Sequence, residues 1–478
     1  MIYFKILTNI LLTIGLAWYL ITSLQWYNYK ISRVITKHHK QHWHIVYFLI
    51  PLICFYILPD LYFDIYFYFI FVPFLIFWNK KLDKRLVLTK RVKRFFFFLI
   101  ILSLLINALF LIFDFYSSSI VIVCLILSHL ASNIYEQLAM RCFRKKAKKK
   151  LRSLDDLKII AITASFGKTS IKNYLYQVLN EHFITYKTPR SVNTLAGLVL
   201  DVNNDLPKNT QIYIAEAGAR QRGDIKQIAD FLEPHYCIIG SIGKAHIEYF
   251  KTIKNIIATK SELLKSPRMI KAFVHKSTEI KEKNNISIFA KDLKITKNDL
   301  DGIAFEFSIN SKIEKFKAPV LGAFNATNLS VVILTALELG MNLSDIKAKL
   351  SKLYSVEHRL QKIEANSKLI LDDSFNGNLA GMLEAIEIAS TYKGRKVIIT
   401  PGLVESDKDS NLILAKKISQ TFDFIILTSS LNIAILSANI DKEKTYILKD
   451  KSSMQEVLAK YTKPKDLILF ANDAPNFI

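Results

Sequence analysis

The stretch Thr163-Ala164-Ser165-Phe166-Gly167-Lys168-Thr169-Ser170 has the residue types of a phosphate cradle, between a strand-like run, Leu157 to Ile162, and a helix-like one. In such a turn the loop amides and the helix N-terminus point at phosphate oxygens, the lysine adds positive charge, and the threonine hydroxyl can ligate Mg²⁺. ATP is the expected guest, with Ser165, Phe166, Gly167, Lys168, Thr169 and Ser170 around its phosphates. The spacing is a variant of the strict Gly-x-x-x-x-Gly-Lys-[Ser/Thr] pattern, because Ile162 and not glycine stands five residues before Gly167.

Three further groupings carry chemistry. Glu216 follows the strand-like Ile212 to Ala215, and a glycine-rich loop, Gly240 to Gly243, leads from another strand end to His246 and Glu248. Alone, such residues are usually a solvated acid and a hydrogen-bonded loop histidine; at consecutive strand ends of an α/β sheet they fall where ligands bind. Lys260 lies in a helical stretch, where by itself it reads as a surface lysine. The run Asp372-Asp373-Ser374-Phe375-Asn376-Gly377-Asn378 follows a strand-like segment, and turn chemistry accounts for part of its composition.

The elements that must position these residues are short apolar runs alternating with helical ones from about residue 155 onward. Runs at 159–163, 212–215, 236–239, 369–371, 397–400, 424–427 and 467–470 predict parallel sheets covered by helices. Residues 284–318 read as short antiparallel pieces, so the first α/β unit is expected to carry a mixed sheet with an antiparallel edge. The fold class is α/β: a helical membrane region over 1–150, a P-loop ATP-binding domain over 151–357, and a smaller Rossmann-like domain over 358–478.

Apolar runs at about 4–26, 45–59, 61–78, 95–113 and 117–135 approach the roughly 20 residues that span a bilayer. Basic clusters follow the first, third and fifth runs, while the turns at Pro59-Asp60 and Asp114 to Ser119 hold no Lys or Arg. By the positive-inside tendency this predicts five spans, the N-terminus outside, and a multi-pass protein of the inner (cytoplasmic) membrane with its catalytic domains in the cytoplasm. Much of the formal net charge of +24 sits in those clusters, which favours anionic lipid headgroups over nucleic acid as a partner. The four cysteines show no paired spacing and imply neither disulfides nor a zinc site.

The ordered set of Ser165 to Ser170, Glu216-Ala217-Gly218-Ala219-Arg220, Ile242-Gly243 with His246-Ile247-Glu248, Lys260 with Glu262-Leu263, Asn325 with Asn328, Arg359, Asp372 to Asn378, and Asn472-Asp473 resembles the Mur ligase family over about 155–478. Within it, Glu216 to Arg220 and Asp372 to Asn376 are most similar to members that add D-alanyl-D-alanine to UDP-N-acetylmuramoyl-tripeptide. The resemblance implies an ATP-dependent amide ligase of peptidoglycan precursor synthesis, acting through an acyl phosphate. It implies that Lys168 holds ATP phosphates, that Thr169, Glu216 and His246 are Mg²⁺ ligands, and that Lys260 carries a CO₂-derived carbamate. Asn325 and Asn328 would meet the adenine side, and Arg359 and Asp373 would complete the ATP site. Ser191, Asn193 and Thr194 would face the muramoyl substrate; Asn376, Asn378, Asn472 and Asp473 the dipeptide.

The chain departs from its relatives at Ala164, which replaces a usual glycine, and at Phe324, which stands where histidine is common. Residues 1–150 also take the place of the soluble domain that holds the UDP-sugar. Two alternatives follow: a lipid-linked muropeptide as acceptor, or a membrane scaffold with a degenerate ATPase domain. Retention of Lys168, Thr169, Glu216, His246 and Lys260 argues against the second.

Overall fold

The computed structural model describes residues 2–27, 29–82, 84–113, 119–243, 247–375, 377–403, 408–428, 432–448 and 450–472. The chain forms two compact units, Met1–Cys142 and Phe143–Ile478.

Among the described residues, four helices are long and apolar enough to cross a membrane: Ile2–Trp26, Asp60–Lys80, Lys90–Leu109 and Ile120–Arg152, the last of which ends beyond the first unit. The expected second span is a shorter apolar helix, His42–Ile57. At 1.5 Å per residue it reaches only about 24 Å, against the roughly 30 Å of a bilayer core. Pro59 ends the helical path on one side and the polar run Lys37 to Gln41 on the other, so five apolar runs yield four helices of spanning length. Leu12, Leu16, Phe63, Phe67, Phe71 and Leu99 form the centre of this unit. Gly15 permits that packing, since a Cβ there would stand 3.0 Å from the Phe71 ring. The last helix continues past its apolar part to Arg152, because Lys and Arg are good helix formers and suit a helix C-terminus.

The second unit holds two large sheets with separate cores. In the first, β1 (Lys158–Thr163), β2 (Thr185–Lys187), β3 (Ile212–Glu216), β4 (Tyr236–Ile239), β5 (Lys271–His275) and β6 (Ile286–Phe289) lie in the order β2-β3-β1-β4-β5-β6. Every pairing in it is parallel, and β3 is buried along its whole length, as a strand covered on both faces must be. The expected mixed sheet is corrected here. Ile286–Phe289 joins the parallel sheet, whereas β7 (Lys294–Asp299), β8 (Gly302–Ile309) and β9 (Lys312–Ala318) form an antiparallel sheet of their own. The β8–β9 hairpin turns through Asn310 and Ser311 at φ 48° and 66°, the left-handed pair that a two-residue hairpin loop requires. Phe305, Phe307 and Phe316 then stack into the core beneath the helix Ala323–Glu338.

The last sheet contains β10 (Gln361–Ala365), β11 (Lys368–Asp373), β12 (Lys396–Thr400), β13 (Phe424–Leu427), β14 (Thr445–Ile447) and β15 (Leu467–Ala471), in the order β10-β11-β15-β12-β13-β14. Only β10 runs antiparallel to its neighbour. Its core, around Leu371, Met382, Ile398 and Leu469, also takes in Leu321 and Phe324. Phe324 thus makes an apolar contact between the two α/β layers of this unit. Glu384 fastens the same place by accepting hydrogen bonds from the Ala323 amide and from Asn298 Nδ2.

Candidate active site

Gly167 sits between β1 and the helix Lys168–Leu179 with φ 82°. Two constraints exclude other residues. That φ lies in the left-handed region, and a Cβ would stand 2.5 Å from Asn328 Oδ1. Asn328 is itself oriented by donating to Asn325 Oδ1 at 3.0 Å, and Asn325 donates to Leu321 O at 2.7 Å. The two asparagines expected beside an adenine therefore form a buried strut against the phosphate end of the loop. Gly167→Ala is expected to lose about 1–3 kcal/mol from the strained backbone, and ADP binding should fall with it; calorimetry and a denaturation midpoint measure both.

The rest of the loop leans on the segment after β4. Ser165 N donates to Ser241 O at 2.9 Å and Ser165 Oγ to Gly243 O at 3.1 Å. Ala164 is buried without a left-handed φ, so its backbone asks for no glycine there. The compensating glycine is Gly240, where a Cβ would come within 2.9 Å of the Ala164 Cβ. Lys168 folds over this loop, donating from Nζ to Ala164 O at 2.8 Å and to Ser165 O at 3.3 Å. Burial lowers its pKa, Glu216 opposes that shift and Arg359 adds to it.

Glu216, at the end of β3, is 1% exposed and gathers the centre of the site. Thr169 Oγ1 donates to its Oε2 at 3.1 Å, Lys172 Nζ lies 3.3 Å from the same oxygen, and Asn193 Nδ2 donates to Oε1 at 3.1 Å. Asn193 is held in turn by the Gly218 amide, which donates to its carbonyl at 2.7 Å. Sequence reasoning missed Lys172, a lysine 1% exposed. Its signal is the i, i+4 spacing from Lys168, which puts both on one helix face. Burial lowers the Lys172 pKa and its ion pair with Glu216 opposes the shift.

Lys260 ends the helix Ile253–Lys260 and is 4% exposed. Burial first, then the charge of Lys168, lower its pKa to about 7, against Asp224 and Glu216. A buried amine whose pKa is lowered to about 7, with no hydrogen bond to its Nζ among the described residues, fits a carbamate. Thr169 and Glu216 fit Mg²⁺ as hard oxygen donors. His246, Asn376 and Asp473 lie outside the described residues.

The loop before β10 brings the last layer to this place. Arg359 is close enough to Lys168 and Glu216 for their charges to act on one another, and Asp373 and Glu216 counter the lowering of its pKa by burial. Arg359 Nη1 donates to Phe375 O at 2.6 Å, and Asp373 Oδ1 accepts from Leu360 N at 3.1 Å. Beside them lies a second group missed in the sequence: His358 Nδ1 is 2.7 Å from Asp372 Oδ2.

Several expected substrate contacts have structural duties. Thr194 Oγ1 accepts from Gly197 N at 3.3 Å and Asn378 Oδ1 from Gly381 N at 2.9 Å, each capping a helix. Asn472 Nδ2 donates to Gly402 O at 2.8 Å. Ser191 is exposed on the loop before the Leu195–Asn204 helix, and Ser170 is buried in the first turn behind Thr169.

A parallel sheet with a strand–loop–helix at one strand end, an acid at the next and a second α/β layer reaching over both is an α/β architecture with its polar residues gathered at the carboxyl ends of the strands, where such sheets bind ligands. Residues 162–336 match the Mur ligase middle domain. Members of this family are ATP-dependent amide ligases. The chain is similar to the UDP-N-acetylmuramoyl-tripeptide–D-alanyl-D-alanine ligases of Buchnera aphidicola (29% identical, over 59% of this chain and 66% of that one) and Borreliella burgdorferi (28%, over 56% and 62%). It spans just under two thirds of the length of these two relatives. Among solved structures, the corresponding ligase of Acinetobacter baumannii matches with TM-score 0.62 at 23% identity, covering 70% of this chain and 76% of that one. The MurF ligase of Thermotoga maritima in complex with ADP matches with TM-score 0.60 at 22% identity, covering 70% and 80%. These matches share the fold.

Proposed function

We propose that this protein is a membrane-anchored ligase that uses ATP to join D-alanyl-D-alanine to UDP-N-acetylmuramoyl-tripeptide. The observation that carries the proposal is the convergence of Thr169, Lys172 and Asn193 on buried Glu216, beside Lys168 and within reach of the Arg359 charge. The names of the curated relatives supply the substrates. A carboxylate is a poor electrophile, so the γ-phosphoryl group of ATP converts it to an acyl phosphate, which an amine then attacks. The first step brings two anions together, and the loop amides, Lys168 and Arg359 would hold the phosphates against that repulsion. Mg²⁺, held by Thr169 and Glu216, would supply further charge neutralisation. A carbamate on Lys260 would put an anion where the Lys168 charge already acts on that side chain.

Purified protein with ATP, Mg²⁺, bicarbonate and both substrates should release ADP, phosphate and the pentapeptide; no ligation of either UDP-linked or lipid-linked tripeptide rejects the proposal. Since carbamate formation needs the free amine, activity should depend on bicarbonate and decline as the pH falls through about 7, where Lys260 takes up a proton. A ¹³C carbamate resonance that disappears in Lys260→Arg checks this directly. Bicarbonate-independent turnover without that resonance contradicts it.

A lipid-linked acceptor is the second reading, supported by a feature of the first unit. A groove of about 1050 Å³ lies at the end of the helix Ile2–Trp26, lined by Trp26, Tyr29, Lys84 and Arg85 among others. Aromatic and basic side chains at a membrane interface suit a phosphate-bearing lipid headgroup. Parallel assays with the two carriers distinguish the acceptors.

A further inference from the structure

His358 is bound into the site by four contacts. Its Nδ1 lies 2.7 Å from Asp372 Oδ2 and 3.2 Å from Ser374 Oγ, its carbonyl accepts from Phe375 N at 3.3 Å, and its ring packs on Phe375 with centroids 5.2 Å apart. Asp372 is fully buried, and its other oxygen accepts from Ser374 N at 3.1 Å and Ser374 Oγ at 2.6 Å. An ionised carboxylate only accepts, so Nδ1 carries the hydrogen and Nε2 keeps the lone pair. Nε2 makes no hydrogen bond among the described residues, and the side chain is 25% exposed. The backbone of His358 is left-handed, φ 60°. A histidine kept in that conformation, with a buried carboxylate dedicated to one ring nitrogen, is over-determined for a surface loop. Its neighbour Arg359 acts on the charges of Lys168 and Glu216, and its Nη1 donates to the carbonyl of Phe375, the residue on which the His358 ring packs, which ties the ring to the same site.

We propose that His358 is the proton acceptor for the incoming amine, with Asp372 holding its Nε2 in the basic form. This rests on the ligase reading above. The ammonium form of the dipeptide gives one proton to His358 Nε2. The freed nitrogen lone pair then forms the C–N bond to the acyl carbon. The C–O bond to phosphate breaks with its electron pair on the phosphate oxygen, which takes the second nitrogen proton and leaves as hydrogen phosphate. The imidazolium returns its proton to solvent. The groups facing the ring are Asp372, Ser374 and Phe375 from the end of β11, while Glu357 and Arg359 flank it in sequence and Asp373 acts on Arg359.

Hydroxylamine separates this role from a structural one, because it is already unprotonated at neutral pH and needs no base. With ATP and UDP-N-acetylmuramoyl-tripeptide, His358→Gln should still form the hydroxamate at close to the wild-type rate. Its ligation of D-alanyl-D-alanine should fall about 100-fold. His358→Asn, which tolerates the left-handed backbone, should behave alike and covers misfolding of the first variant. Equal loss with both nucleophiles, or an unchanged rate of dipeptide ligation, overturns the proposal for His358. A wild-type protein that makes neither product rejects the ligase reading itself.

Discussion

Lys168→Ala is expected to lower ATP-dependent turnover by about 10³-fold, the scale at which a preorganised charge acts on a developing anion. In the structure Lys168 Nζ donates to two carbonyls of its own loop, Ala164 at 2.8 Å and Ser165 at 3.3 Å. Those bonds hold the ammonium over the loop in advance, so little reorganisation is needed when phosphate oxygens compete for its protons. Burial works against its charge and Glu216 works for it, so removing the lysine also leaves Glu216 with less positive potential. ADP release by the purified variant, with Mg²⁺ and both substrates, measures the effect. Turnover within tenfold of wild type would move the protein to the scaffold reading, in which the nucleotide site is degenerate.

Lys172→Met should cost about 3–5 kcal/mol of stability, because it strands the Glu216 carboxylate in the interior. Both side chains of the pair are nearly inaccessible, at 1% and 2%. The remaining hydrogen-bonding partners of Glu216, Thr169 and Asn193, are neutral donors, which leaves only the charges of Lys168 and Arg359, neither of them ion-paired with it among the described residues, to act on the carboxylate. Glu216→Gln should cost a similar amount by stranding the lysine. The double variant should recover much of the loss, since an uncharged pair of similar volume carries no desolvation penalty, yet it should remain inactive for want of the carboxylate. Denaturant midpoints of the four proteins, combined as a cycle, give the coupling energy. A double variant as unstable as the sum of the singles would show that the pair is not coupled.

How much of this was legible in the sequence depends on the kind of residue. The phosphate loop was visible because its residues are contiguous and their order itself describes a turn. The strands were visible because a parallel sheet buried on both faces needs continuous apolar runs. Lys172 was not, because a lysine four residues along a helix reads as solvated until the fold shows that Glu216 and the Arg190 carbonyl enclose it. His358 was hidden for a like reason. Only the pairing of its loop with the end of β11 makes Asp372 its partner, and in sequence the two adjacent aspartates look interchangeable. The structure separates them, giving Asp372 to His358 and Ser374 and placing Asp373 by Leu360 and Arg359. The mixed sheet was misjudged because pairing register is not encoded in strand composition. The short second apolar run was taken as a span because hydropathy does not register where helix breaks fall.

The amino-acid sequence by itself determined the local chemistry: a loop that can hold phosphate, the alternation of strands and helices, and the apolar and basic banding of the first part. These follow from propensities and spacings within a few residues. Tertiary structure alone decided which charges meet. Glu216 comes from the end of β3, Thr169 and Lys172 from the helix that follows β1, and Arg359 and His358 from a loop nearly two hundred residues beyond the start of that helix. An isolated lysine or carboxylate belongs in water, and only burial against a particular partner makes it part of a site.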